Sequence, residues 1–317
     1  MSDRSIITIG NFDGVHLGHR SILRRARELA EQHSLALKAI TFEPHPITVL
    51  RPQQAPPRLS DAEEKVELLR DAGVDEVLVL EPTQTLLAEE PEDFIGQLVR
   101  QHHPLVIVEG PDFRFGHNRR GDAAILESLG DRHGFTSIAV PRAETVLTDQ
   151  LIAPVSSSTV RWLLGQGRVA DAAICLARPY VLSADVAKGE QRGRTLGTPT
   201  ANLDMTQLAD RMLPADAVYA GHAVLPDGQT RPAAISVGVK PTFGCVARLV
   251  EAYLLGFDGD LYGRRLTLRF DRWLRDQQPF PSLDELRRQI QRDVEQVRYL
   301  EDAGLLRLPA RKERLAG

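Results

Sequence analysis

Two histidines standing three apart, His16 and His19, lie in the string "GNFDGVHLGH" (10–19), just past a short apolar run, "SIITI". Imidazoles so placed can do three things. They can cap and pack a loop, as many loop histidines do. They can ligate a metal, although His-x-x-His without nearby cysteines or a His-Glu-x-x-His helix is a thin ligand set. They can also donate to a phosphate. Gly10, Gly14 and Gly18 let backbone approach a ligand, and a helix opening near His19 offers free N–H groups and a positive dipole end. Neither G-x-G-x-x-G nor G-x-x-x-x-G-K-[ST] is present, so spacing alone leaves the choice open. A second string, "GEQRGRTLGTPTANL" (189–203), reads either as a surface hairpin loop or as a phosphate-covering loop followed by a metal site. In the second case Thr200 and Asn202 supply neutral oxygens suited to Mg²⁺ that also takes phosphate oxygens and water.

The elements that must position these residues are of two kinds. Up to about residue 150, apolar runs such as "LALKAITF", "EVLVLEP" and "LVIVEG" alternate with amphipathic helical patterns. That order predicts a parallel sheet covered on both faces, with ligands beyond the carboxyl ends of the strands. "GNFDGVHLGH", "TFEPHP" (41–46) and "PDFRFGHNRRGD" (111–122) all follow strands. Ser60 with Glu63, and Ser282 with Glu285, have the spacing of capping boxes and predict helix starts. Two short helices broken at Gly165 and Gly167 follow. Near residue 178 the pattern changes to short alternating runs with Gly/Pro/Asp turns, an antiparallel barrel or sandwich closed by one helix. The expected division is 1–178 and 179–317.

Bulk composition narrows the classes. Among 317 residues, 42% hydrophobic and 26% charged is an ordinary soluble balance. A net charge of −4 excludes a domain-wide basic field for nucleic acid. Cys175 and Cys245 fit no metal spacing and suggest a reducing compartment. The first residues are too polar for a signal segment, and no apolar run approaches a membrane span. A cytoplasmic enzyme with neither nucleic-acid nor membrane partners is expected; its oligomeric state is left open.

"HLGH" resembles the His-x-Gly-His signature of the nucleotidyltransferase superfamily, and "SSSTVR" (156–161) resembles its late Ser-Ser/Thr-x-x-Arg partner. With "GNFDG", "TFEPHP" and "DFRFG", the string is similar to the FMN adenylyltransferase half of the prokaryotic bifunctional riboflavin kinase/FAD synthetases. The resemblance implies a Rossmann-like nucleotidyltransferase domain. His16 and His19 would donate to the α-phosphoryl oxygens of ATP, and Arg161 would hold the leaving pyrophosphate by a forked contact. Gly10, Phe12, Asp13, Gly14, Gly18, Ser157 and Ser158 would frame the phosphates. Pro44, His45, Pro46, Asp112, Phe113, Arg114 and Phe115 would line the flavin, although aromatic residues beside a strand are commonly core.

The second half resembles riboflavin kinases. It carries G-R-x-x-G-x-P-T-A-N-L (193–203), "GVKPTFG" (238–244) and "RLVEAYLLGFDGDLYG" (248–263). By that match Gly193, Arg194, Gly197 and Pro199 meet ATP phosphates, Thr200 and Asn202 hold Mg²⁺, and Glu251 is the general base. Arg275 lies near the flavin and phosphate. Read without the match, Glu251 is a strand carboxylate facing solvent. Departures from the family pattern are Thr198 for Phe, Ala177 and Ala217 for Gly, Ser236 for Asn, and Gly256 for Asp. Thr198 would raise KM without abolishing chemistry. The implied activities are ATP-dependent phosphorylation of riboflavin to FMN and adenylylation of FMN to FAD. The competitors are a monofunctional adenylyltransferase with a flavin-binding β-domain and a non-catalytic flavin-binding regulator.

Overall fold

A computed structural model describes residues 4–188, 199–239 and 248–306. The chain divides into two compact units, Met1–Thr145 with Ile152–Ser157, and Val146–Leu151 with Ser158–Gly317.

The first unit is built on five parallel strands, β1 (Ser5–Ile9), β2 (Ala36–Phe42), β3 (Glu76–Leu80), β4 (Pro104–Glu109) and β5 (Thr136–Ala139), ordered β3-β2-β1-β4-β5. Central β1 is buried along its whole length, as an apolar run with no polar alternation requires. Successive residues of β1 face opposite layers. Ile6 joins Leu23, Ala26 and Leu29 of α1 (Leu17–His33) and Leu68 and Leu69 of α3 (Ala62–Asp71). Ile7 joins Ile95 and Leu98 of α5 (Pro91–His102) and Leu126 and Leu129 of α6 (Ala123–His133). The strand order reverses between β1 and β4, the switch point where such sheets open a crevice. Two one-turn helices, α2 (Pro46–Leu50) and α4 (Gln84–Leu87), and a small hairpin of β6 (Glu144–Val146) and β7 (Ile152–Pro154) complete the pattern.

Two expected boundaries move. Helix α1 opens at Leu17, with His16 as its N-cap, rather than near His19. Helix α3 is capped by Asp61, whose carboxylate accepts from Glu64 N, and not by Ser60. The Ser60 hydroxyl instead accepts from Gly14 N at 3.1 Å, so a long-range partner outbids the local box.

The other elements are α7 (Ser157–Gly165), α8 (Val169–Leu176) and six strands: β8 (Tyr180–Ala187), β9 (Ala201–Leu203), β10 (Ala217–Val224), β11 (Thr230–Gly238), β12 (Leu249–Leu254) and β13 (Arg265–Asp276). The strands form a closed barrel ordered β10-β11-β12-β9-β8-β13, which decides between barrel and sandwich. Alternation is clean in β8, where every second residue is buried, and Tyr180, Tyr219 and Phe270 fill the interior. Closure of β10 on β13 requires Gly221, where a Cβ would stand 1.9 Å from Arg269 O. The last helix, α9 (Leu283–Asp302), is capped by Ser282 as expected. Its Val297 and Leu300 pack on Val218, Ala220 and Leu274.

Candidate active sites

The loop after β1 is held rigidly. Gly10 N donates to Ile40 O, and Asp13 Oδ1 accepts from Leu59 N at 2.9 Å and Ser60 N at 3.2 Å. The Ser157 hydroxyl donates to Asp13 O at 2.9 Å. Gly14 adopts φ 79°, a left-handed conformation that glycine takes at least cost. Phe12 is buried in the core and sets its ring edge-on to His19 at 5.2 Å. Asp13 and Phe12 thus build the frame of the loop, with side chains engaged by protein.

The frame presents the two histidines as a stacked pair, ring centroids 3.7 Å apart and planes 17° from parallel. His16 Nδ1 accepts from His19 N at 3.3 Å. That bond puts the proton of the neutral ring on Nε2, which makes Nε2 a donor. Burial, and then the neighbouring His16, hold the pKa of His19 well below the ordinary histidine value. Among the described residues His19 Nδ1 is buried and has no hydrogen-bond partner. An anion arriving at the first turn of α1 would meet the helix N–H groups and an imidazole with unused capacity. Gly18 is fixed by close approach: a Cβ there would lie 3.1 Å from His16 Cε1 and 3.2 Å from Val155 O. Among the described residues no three His, Cys, Asp or Glu side chains gather as metal ligands. Ser158 is exposed and Arg161 half-buried on α7.

The flavin-wall candidates divide. His45 is the N-cap of α2, its Nδ1 accepting from Ile47 N, between exposed Pro44 and half-buried Pro46. Phe115 is committed to the core, 6.4 Å from Phe94, and Gly121 is needed to let its ring in. Phe113 stacks on Phe115 at 5.2 Å and is half-buried, so one of the two rings retains an open face. Asp112 is forked by Arg142, whose hydrogen bonds hold its carboxyl below the usual range. Arg114 is exposed and donates to Phe113 O.

Sequence reasoning passed over Glu109. It ends β4 beside the switch point, is buried, and accepts from Ile9 N at 2.5 Å. Burial pushes its carboxyl well above the ordinary value. Cys175 is buried too, its thiol pushed up to about 11, which makes it inert.

On the barrel, strand register puts the predicted residues in one cross-strand row. Asn202 pairs with Glu251, Glu251 with Ser236, Ser236 with Val218, and Val218 with Arg275. Burial alternation turns Asn202, Glu251 and Ser236 to the outer face, away from Val250, Ala252 and Val237. Asn202 Nδ2 leans on Thr200 O at 3.5 Å, leaving Oδ1 for another partner. A Thr hydroxyl and an Asn carbonyl are neutral hard oxygens that fit Mg²⁺ also bound by phosphate oxygens and water. The Arg275 guanidinium grips the buried Asp293 carboxylate of α9 with contacts of 2.7–3.1 Å, and lies 5.6 Å from the Phe280 ring. It thereby ties β13 to α9. Pro199 is exposed. Gly193, Arg194, Gly197 and Thr198 lie outside the described residues.

Comparison with known proteins agrees with both halves. The FAD synthetase family model matches residues 1–153 and the riboflavin kinase model residues 176–300. A bifunctional riboflavin kinase/FMN adenylyltransferase of Escherichia coli strain K12 is 34% identical, over 91% of this chain and 90% of that protein. Its counterpart from Pseudomonas fluorescens is 39% identical, over 93% and 92%. A crystal structure of a macrolide-efflux protein from Streptococcus pneumoniae matches with TM-score 0.82 and 28% identity, covering 94% of this chain and 95% of that one. Efflux is that protein's description; among the described residues here, no helix is long and apolar enough to cross a membrane. The chain belongs to the bifunctional riboflavin kinase/FMN adenylyltransferase family.

Proposed function

We propose that the chain makes FAD from riboflavin in two ATP-dependent steps, assigning residues 1–178 to adenylyl transfer and 179–317 to phosphorylation. In adenylyl transfer a phosphate oxygen of FMN attacks the α-phosphorus of ATP and pyrophosphate leaves. The nucleophile is already ionised, so catalysis is positioning and stabilisation of charge growing on the phosphoryl oxygens. His16 and His19 serve that role, with Gly18 keeping backbone close, Ser158 adding a donor, Ser157 bracing the loop through Asp13 O, and Arg161 holding the leaving group. The neutral His19 of the free protein suits it, because incoming negative charge favours its protonation. Phe113, His45 and Arg114 are the flavin contacts that remain accessible enough for the task.

In phosphorylation the ribityl 5′-hydroxyl attacks the γ-phosphorus of ATP. Glu251 takes the hydroxyl proton. Thr200 and Asn202 would hold Mg²⁺, which supplies charge neutralisation at the ATP phosphates. Arg275 acts through its hold on α9, and Gly193, Arg194, Gly197 and Pro199 cover the phosphates. The substrates are small molecules; we assign the enzyme to the cytoplasm, with neither nucleic acid nor membrane as partner.

The observation that carries the two-activity reading is the direct cross-strand pairing of Glu251 with Asn202. It supports a base beside an oxygen ligand in the half that a monofunctional adenylyltransferase would leave without catalysis. Incubation with riboflavin, ATP and MgCl₂, with flavins resolved by chromatography, tests it. FAD is expected; FAD from supplied FMN alone would favour the monofunctional enzyme, and no turnover would sink both. His19→Ala should cost adenylylation on the order of 10²–10³ in rate and spare phosphorylation, whereas Glu251→Gln should do the reverse.

A further inference from the structure

Of the charged side chains that the two steps leave unused, one is buried where a cation is least expected. Lys65 is the fourth residue of α3, close to the helix start, where the dipole disfavours positive charge, and its side chain is 7% exposed. The end of β2 holds it. Lys65 Nζ donates to Phe42 O at 2.7 Å and to Glu43 Oε2 at 2.9 Å. The other oxygen of Glu43 accepts from Arg58 Nη1 at 2.6 Å, and Glu43 N donates to Leu80 O at 3.0 Å. Glu43, the first residue past β2, is thus gripped through both carboxylate oxygens and through its backbone. Without that carboxylate the Lys65 ammonium would stay buried against a carbonyl alone.

Two features carry the grip to the adenylylation site. Residues 44–46 read Pro-His-Pro. The prolines fix φ on either side of His45, and His45 caps α2, so its ring takes its place from the anchor at Glu43. Arg58 also opens the stretch 58–60. Leu59 N and Ser60 N donate to Asp13 Oδ1, and the Ser60 hydroxyl accepts from Gly14 N. The loop that bears the histidine pair and the wall that bears His45 are therefore tied to the same three residues. The first tie runs through backbone N–H groups and a serine, the second through the Arg58 side chain. We propose that Glu43 is a positioning residue for adenylyl transfer: clamped by Lys65 and Arg58, it sets the Pro44–Pro46 wall against the histidine loop so that FMN fits between them. It acts through His45 rather than on the substrate. The inference rests on His45 being a flavin contact.

The test is steady-state FMN adenylylation by the full chain, with FMN and ATP varied separately. Glu43→Gln keeps the size of the side chain, but an amide has one oxygen and cannot accept from both cations as the carboxylate does. It should raise KM for FMN about tenfold and leave KM for ATP and kcat within about twofold. Arg58→Gln should move KM for FMN the same way by about threefold, with kcat kept, because the N–H groups that hold Asp13 remain. A merely structural loss would lower the melting temperature and the active fraction, hence kcat, without sorting the two substrates. His45→Ala completes a double-mutant cycle. Alone it should raise KM for FMN, and in its background Glu43→Gln should add less than about twofold. Suppose His45→Ala raises KM for FMN while Glu43→Gln leaves it at the wild-type value, acts on kcat or on KM for ATP instead, or multiplies in full with His45→Ala. The clamp is then overturned and the wall stands. If His45→Ala leaves KM for FMN unchanged, the wall falls and the clamp with it. Should Glu43→Gln fail to fold by thermal melting, Arg58→Gln takes its place in the cycle and the same outcomes decide.

Discussion

His16 shows how one side chain does two jobs. Its Nδ1 closes the first turn of α1 and its ring stacks on His19, so the helix start and the donor pair are one object. Gly18 is where that object is most easily broken. A methyl group at Gly18 would press on the His16 ring and on Val155 O from 3.1–3.2 Å. The backbone there is helical and the first turn half-buried, so the protein has room to keep its fold while the ring shifts. Gly18→Ala should therefore cut adenylyl transfer by roughly 10- to 100-fold through misplacement of His16, with a melting temperature close to wild type and phosphorylation intact. Kinetics that match wild type would show that the donors tolerate the shift. The sequence made Gly18 legible as a residue giving clearance. It did not say that the thing cleared is the ring of His16, because that depends on a cap placed by the folded loop.

Elements explain which parts of the sites could be read beforehand. Apolar runs in the first half and rough alternation in the second predicted the strands, since both patterns are written locally. Neither predicted the row Arg275–Val218–Ser236–Glu251–Asn202, because neighbours across strands depend on register, and β10 shifts register against β13 twice. The same limit moved the cap of α3: a local Ser-x-x-Glu pattern cannot reveal that the Ser60 hydroxyl is engaged by Gly14. Glu109 escaped notice because an acid at the end of an apolar run reads as a strand terminus. In the fold its carboxyl accepts from Ile9 N at the junction of β1 and β4. Burial raises its folded pKa above the ordinary 4.5. The folded state then holds a proton that the unfolded chain has released, so this group's stabilisation is full below about pH 4.5 and is lost as pH rises toward the folded pKa. Glu109→Gln keeps an acceptor for Ile9 N and has nothing to ionise. The variant should gain in melting temperature relative to wild type between pH 5 and pH 8, with the gain growing with pH. An identical difference at both pH values would mean that Glu109 is not held protonated.

At the scale of the whole molecule, the histidine pair His16 and His19 belongs to the first unit, and Glu251 and Asn202 belong to the second. The histidine pair and the carboxylate base are separate groups, so neither step needs the other's. FMN is the intermediate shared by the two steps, as product of one and substrate of the next. Nothing in either site's donor set requires that FMN come from the same chain. An equimolar mixture of the His19→Ala and Glu251→Gln proteins should therefore convert riboflavin to FAD, although each variant alone stops short. FAD should appear after a lag that shortens as total protein is raised, because FMN must accumulate in solution before the second protein can use it. The wild-type chain at the same concentration of each site should show the same lag. A mixture yielding no FAD, while each variant keeps its own single activity, would mean that FMN is handed on within one chain. The independence of the two sites would then have to be given up.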